Sequence, residues 1–271
     1  MESKNKNIVI TGGAGGIGMA CARAFKDETL IITDYSQEIV DKAVATLTKE
    51  GIKATGIACD ITNKDDVAKL TAFVAKKGEL KALIHTAGVS GSVKDLKKVY
   101  TIDLVGTEIL IDAFYDILSE GSVAVLFASM MAHAVPANPK YDSALENPQE
   151  AGSFETVSQF VDGSSDNMYN FAKRGVLLLS KKHVDRYGAK GARIVTISPG
   201  VIETQMGLKA AEEHPERMEM IKKATPLGRF GQPDDVSNAV RFLVSDAARY
   251  ITGTDLLIDG GVIKNILKMG Q

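Results

Sequence analysis

The feature that most restricts the fold is a rhythm in the apolar residues. Short runs rich in Ile, Val, Leu and Ala occur at Asn7–Thr11, Leu30–Asp34, Ala54–Cys59, Ala82–Thr86, Val123–Ser129, Ile194–Ser198 and Asp255–Ile258. Between them lie longer stretches such as Ile39–Lys49, Lys64–Lys77 and Leu96–Ile117, with apolar residues three and four apart and Lys, Glu or Asp elsewhere. That spacing is the period of a helix with one buried face. Runs that are apolar at every position fit strands covered on both sides, as in parallel sheets. The alternation predicts an α/β chain with a doubly wound, seven-stranded parallel sheet and helices on both faces. No repeat and no shift in composition divides the 271 residues, so a single domain is expected.

The first run leads into Thr11-Gly12-Gly13-Ala14-Gly15-Gly16-Ile17-Gly18 and then an amphipathic stretch from about Met19. Glycines at this density let a backbone approach a pyrophosphate and aim helix N–H groups at it. Gly12, Gly16, Ile17 and Gly18 are therefore candidate cofactor contacts in a Rossmann-type fold. Asp34 ends the second run, 16 positions after Gly18. A carboxylate there can accept from a ribose 2′-hydroxyl and repels a 2′-phosphate, which favours NAD over NADP. Methyltransferases also place an acid after the second strand, so these residues alone leave the cofactor class open.

Composition excludes other classes. Lys and Arg number 32 against 34 Asp and Glu, a formal net charge of −2 without a basic stripe, so neither a nucleic-acid partner nor a polybasic membrane contact is expected. Cys21 and Cys59 stand 38 positions apart with no ligand spacing, and the four histidines add none, so no metal is expected. No apolar run reaches the ~18 residues of a membrane span, and no signal-peptide pattern is present. A cytoplasmic protein is the expectation.

Tyr169-Asn170-Phe171-Ala172-Lys173 separates the remaining cofactor classes. Four residues on a helix place both end side chains on one face. A phenol ordinarily titrates near 10, and a neighbouring ammonium favours its phenolate. Such a tyrosine can take the proton from a substrate alcohol as hydride leaves the carbon, or return it to a carbonyl. Ser129, ending the fifth run, could hold the substrate oxygen at the sheet edge.

Thr11-Gly12-x-x-x-Gly16-x-Gly18, Ser129, Tyr169-x-x-x-Lys173 and Pro199-Gly200 occur in one order, and the chain resembles the short-chain dehydrogenase/reductase family over nearly its whole length. His85-Thr86-Ala87-Gly88, Cys59-Asp60-Ile61 and Asp259-Gly260-Gly261 extend the match. The resemblance implies that Asp60 and Ile61 contact the adenine and that Ala87 and Gly88 line the cofactor. It also implies that Ile202 and Thr204 engage the carboxamide and that Tyr169 and Lys173 meet the nicotinamide ribose region. Two departures stand out: His85-Thr86 where the family has Asn-Asn, and Asp103 where it has the Asn of a proton relay. Asp103 is taken as the relay member, and His85 as a packed, hydrogen-bonded residue.

Ser129 and Tyr169 are 40 positions apart, longer than the family generally has. The insertion, residues 130–166, carries Pro136, Pro139 and Pro148 and a short helix expected within Gln149–Val161. It is similar to the insertion of bacterial 3-alpha-hydroxysteroid dehydrogenase/carbonyl reductases, which is associated with either the subunit interface or the substrate entrance. With a lid at 205–232 containing Met206, Met218, Met220 and Phe230, it is expected to cover an apolar secondary alcohol or ketone, a hydroxysteroid first. His133 reads as a solvated loop histidine. In relatives, helices corresponding to Leu96–Ile117 and Asn167–Tyr187 supply a tetramer interface, so a homo-oligomer, tetramer or dimer, is expected. A non-catalytic, NAD-responsive binding protein on the same fold is the alternative.

Overall fold

The structure is a computed structural model and describes residues 6–205, 207 and 215–269. Strands β1 (Lys6–Thr11), β2 (Thr29–Thr33), β3 (Ala54–Gly56), β4 (Glu79–His85), β5 (Val123–Phe127), β6 (Arg193–Pro199) and β7 (Asp255–Ile258) form one sheet. Its order is β3-β2-β1-β4-β5-β6-β7, and every pairing is parallel. The predicted doubly wound Rossmann-type sheet is what forms. The chain winds outward one way from β1 to β3 and then returns to β4 on the other side. That reversal opens a crevice at the carboxyl ends of β1 and β4.

Alternate residues of strands β1, β2, β4, β5 and β6 enter two separate cores. Val9, Leu83, Leu126 and Ile194 pack with helices α3 (Lys64–Lys77), α4 (Leu96–Tyr100), α5 (Gly106–Tyr115) and α8 (Ser165–Lys182). Ile8, Ile84, Val125 and Val195 pack with α1 (Gly16–Ala24), α2 (Gln37–Lys49) and α11 (Pro233–Val244). The remaining helices are α6 (Pro139–Glu146), α7 (Ser153–Ser158), α9 (Val184–Gly188), α10 (Pro215–Ala224) and α12 (Val262–Met269).

Three local differences from the sequence reading have physical causes. Helix α1 starts at Gly16, not near Met19, because the glycine turn already accepts the first helical bond, from Met19 N to Gly15 O at 2.8 Å. Strand β3 stops at Gly56, since it lies at the sheet edge with a partner on one side only. The long stretch Leu96–Ile117 is two helices joined by a π-helical turn, Thr101–Val105, and the widened turn carries Asp103 inward.

The insertion contains two helices where one was expected. Helix α6 was hidden by Pro139, which occupies the first helical turn after the Asn138 cap, a position that tolerates proline. Its Tyr141 ring meets Phe171 of α8 at 4.8 Å and Phe160 at 5.1 Å, both edge-on. Arg174 of α8 grips Asp142 through two nitrogens at 2.8 and 2.7 Å. Phe154 of α7 packs edge-on against Tyr100 of α4 at 5.6 Å. Both insertion helices thus lie on the α4 and α8 pair, and only the opening turn, Met130–Ala134, borders the apolar cluster of Val201, Ile221 and Val262.

Candidate active site

The glycine turn at the end of β1 is built by close approaches. Gly12 has φ +64, and a Cβ there would fall 2.6 Å from the Ala87 nitrogen, so the turn can sit against the β4 end only without a side chain. A Cβ on Gly18 would stand 2.3 Å from the Gly12 oxygen. Gly15 caps α1 with no side-chain hydrogen bond. The N–H groups of Gly16, Ile17 and Gly18 therefore have no partner within their helix. They and the helix dipole suit a pyrophosphate. Thr204 leans over this turn, its methyl where a Gly16 Cβ would meet it at 2.8 Å. These residues fit a dinucleotide: a side-chain-free cradle, open N–H groups and a facing threonine.

Asp34 follows β2, and its carboxylate accepts from Ala14 N at 3.3 Å and Tyr35 N at 2.9 Å. It is held beside the glycine turn and remains partly exposed. Asp60 spends one oxygen on its own turn, accepting from Thr62 N at 2.9 Å and Thr62 Oγ1 at 2.7 Å. The Ile61 side chain is buried against Gly106. Ile202 is buried where its segment bridges Gly231.

Ser129, buried after β5, caps the short turn Met130–Ala134, and its Oγ accepts from Met131 N at 3.2 Å. With a lone pair so engaged, the hydroxyl proton stays available to a ligand oxygen. Tyr169 and Lys173 share one face of α8, and Lys173 Nζ lies 5.6 Å from the Tyr169 ring centroid. Tyr169 is half-buried, whereas Lys173 is buried and donates to Phe127 O at 3.2 Å, at the end of the strand that precedes Ser129.

Asp103 faces this lysine. Its Oδ1 accepts from Val89 N at 2.7 Å, and its Oδ2 lies 3.8 Å from Lys173 Nζ without a hydrogen-bond partner. Burial pushes the carboxyl up, opposed by the Lys173 charge and the Val89 N–H. Gly88 makes room for the pair: a Cβ there would sit 2.9 Å from Asp103 Oδ1 and 3.1 Å from Lys173 Nζ. The structure therefore brings Asp103, Lys173, Gly88 and the Phe127 end of β5 together, and Ala87 to the glycine turn.

His85 is packed and hydrogen-bonded, as expected from the sequence. Thr107 Oγ1 donates to Asp103 O at 2.8 Å, so it can only accept from His85 Nε2 at 2.9 Å, which assigns the ring proton to Nε2. His85 Nδ1 then accepts from Thr11 Oγ1 at 2.7 Å. Burial, then the nearby Lys173 charge, lowers the His85 pKa to about 3, so the ring is neutral. Thr107 escaped the sequence reading; its only signal was the unusual histidine that needs it. The His133 pairing described below was also missed.

Of the lid at 205–232, Met206, Leu208 and His214 lie outside the described residues. Met218 is buried, Met220 is exposed, and Ile221 joins Met130, Val201 and Val262 in an apolar cluster. Next to it lies a cavity of about 190 Å³ walled by apolar residues such as Val201, Ile221 and Phe230 and by the charged Arg229, Asp235 and Asp259; Ser129, Tyr169 and Lys173 do not line it. Among the described residues no group of His, Cys, Asp and Glu could hold a metal.

Comparisons with known proteins place these features in context. A family profile described as "short chain dehydrogenase" matches residues 6–144, and one described as "Enoyl-(Acyl carrier protein) reductase" matches residues 143–263. D-threitol dehydrogenase of Mycolicibacterium smegmatis is 32% identical, covering 94% of this chain and 92% of that protein. 7alpha-hydroxysteroid dehydrogenase of Bacteroides fragilis is 29% identical, covering 96% and 95%. The crystal structure of a short-chain dehydrogenase/reductase, SDR:Glucose/ribitol dehydrogenase from Brucella melitensis, superposes with TM-score 0.76 at 25% identity, covering 96% of this chain and 98% of that one.

Proposed function

The chain belongs to the short-chain dehydrogenase/reductase family, and on that footing we propose that it is an NAD-dependent oxidoreductase interconverting a secondary alcohol and a ketone. What supports this reading is Lys173, which shares a face of α8 with Tyr169, lies 3.8 Å from Asp103 and donates to Phe127 O two residues before Ser129, with Gly88 beside it and Ala87 against the glycine turn. The nicotinamide, when bound, accepts or supplies the hydride. Tyr169 Oη takes the proton of the substrate hydroxyl in oxidation and returns it to the carbonyl oxygen in reduction. Ser129 donates its free hydroxyl proton to that oxygen and holds it near the phenol. Lys173 supplies positive charge next to Tyr169, and its ammonium is fixed by Phe127 O and Asp103. Asp103 is the relay member that exchanges protons with the lysine end.

NAD is the cofactor this reading selects. Asp34 presents a carboxylate beside the glycine turn, where a 2′-phosphate would meet like charge. The dinucleotide contacts assigned to Gly12, Gly16, Ile17, Gly18, Asp60, Ile61, Ala87, Gly88, Ile202 and Thr204 complete the site. An apolar substrate, a hydroxysteroid first, is favoured by the apolar cluster of Met130, Val201, Ile221 and Val262, which borders the turn that Ser129 caps. Of the two curated relatives above, one acts on a hydroxysteroid and one on a polyol. The deciding experiment is a panel of cholate, cyclohexanol and D-threitol with NAD and with NADP, read as absorbance of reduced nicotinamide. Cholate turnover with NAD is expected; turnover of D-threitol alone would overturn the substrate assignment, and turnover with neither cofactor the reaction. The reading further takes the protein as a cytoplasmic homo-oligomer without nucleic-acid or membrane partners. Among the described residues no helix is long and apolar enough to cross a membrane.

A further inference from the structure

His133 lies in the turn Met130–Ala134 that Ser129 caps, on the far side of the turn from the serine. Its Nε2 sits 2.9 Å from Asp255 Oδ2 at the start of β7 and 3.3 Å from Ser198 Oγ near the end of β6. Ser198 in turn donates to Asp255 Oδ1 at 3.0 Å. The Ser198 proton is thereby used and the carboxylate only accepts, so His133 Nε2 must carry a hydrogen. The three side chains close a triangle between a surface turn and two strands, with a charge-assisted bond as its strongest side.

The turn needs such an anchor. It is a short 3₁₀ segment, whose internal hydrogen bonds are poorly aligned. Met130 and Ala132 are buried, and Met131 and Ala134 are only partly buried against the cluster of Met130, Ala224, Val262 and Ile263. The direction of the Ser129 hydroxyl depends on this turn, because Met131 N occupies its acceptor lone pair. Fixing the far end of the turn to the sheet fixes that N–H, and with it the serine proton.

We propose that His133 is a positioning residue for Ser129, acting through Asp255 and Ser198 as a clamp on the turn. The proposal rests on the reading of Ser129 as the group that holds the substrate oxygen. His133→Ala frees the turn, so kcat should fall roughly ten- to a hundredfold, the scale of a displaced catalytic group. KM for NAD and the dissociation constant of NADH should not move, since the cradle lies elsewhere. His133→Gln can still donate to Asp255 and should restore most of kcat. His133→Ala and Asp255→Ala combined should cost no more than either alone. The measurements use the most active alcohol of the panel above. Unchanged kcat in His133→Ala, additive effects in the double variant, or no recovery with His133→Gln would overturn the clamp. Where His133→Ala fails to fold, His133→Gln and Asp255→Asn carry the test: the first should approach parental kcat and the second fall below it. If Tyr169→Phe keeps full activity, the underlying reading has failed; if Tyr169→Phe is inactive and His133→Ala is not, only the clamp has.

Discussion

At the scale of single residues, Asp103 is, among the described residues, the charged group set closest to Lys173. A carboxyl can hold a proton where an amide cannot, and this one is buried with an unpartnered oxygen 3.8 Å from Lys173. Asp103→Asn should stay active, because Oδ1 of the amide can still accept from Val89 N. It should also lose one ionisation from the pH profile of kcat/KM, and an identical profile would remove Asp103 from proton exchange. Asp34→Ala should relax the discrimination against NADP, read as the ratio of kcat/KM for the two cofactors; an unchanged ratio would contradict the role given to Asp34. That Tyr169 and Lys173 share a helix face was legible from their spacing, and Ser129 from its place after the fifth apolar run. Thr107 and Asp255 were not, since each matters through a partner distant in sequence.

At the scale of elements, three devices position the site: the glycine turn, the π-helical turn and the insertion. The glycine turn was legible as a turn, because five glycines in seven residues cannot be a helix interior. The π-helical turn was invisible, since nothing in Thr101-Ile102-Asp103-Leu104-Val105 departs from an ordinary amphipathic helix. The insertion was legible as extra length but not as position. Its helices dock through Tyr141, Phe154 and the Arg174–Asp142 pair onto α4 and α8, and only tertiary contacts reveal that choice. Arg174→Ala would leave Asp142 facing a largely enclosed gap, so we expect a loss of about 1–3 kcal/mol, read by urea denaturation. A midpoint unchanged from the parent would show that the insertion is not held there.

At the scale of the whole molecule, the seven parallel strands and the helices on both faces follow from the apolar runs, and the strand order comes from the structure alone. What the runs could not give is how buried polar groups tie the layers together. His85 joins β1 to α5 through Thr11 and Thr107, and it does so only while neutral. An unfolded imidazole takes up a proton near 6.5, whereas the folded one does so only at about 3. The folded state thus binds fewer protons below about 6.5, and stability falls as pH falls through that window, by about 2 kcal/mol at pH 5 for this one group. Urea midpoints at pH 7 and 5 read the slope, and a His85→Asn variant should flatten it. A parental slope in that variant would assign the acid sensitivity elsewhere. On the same scale, the insertion covers part of the α4 and α8 surface expected to join subunits in a tetramer. A dimer is therefore the expected assembly, and a tetramer by light scattering would contradict it.

In the proposed reaction Tyr169 moves the proton. Its most direct test is Tyr169→Phe, assayed for reduction of NAD with the alcohol the panel selects and for NADH binding by fluorescence. Turnover should fall by roughly a hundred- to ten-thousandfold while NADH binds as in the parent. Parental turnover in that variant would contradict the claim.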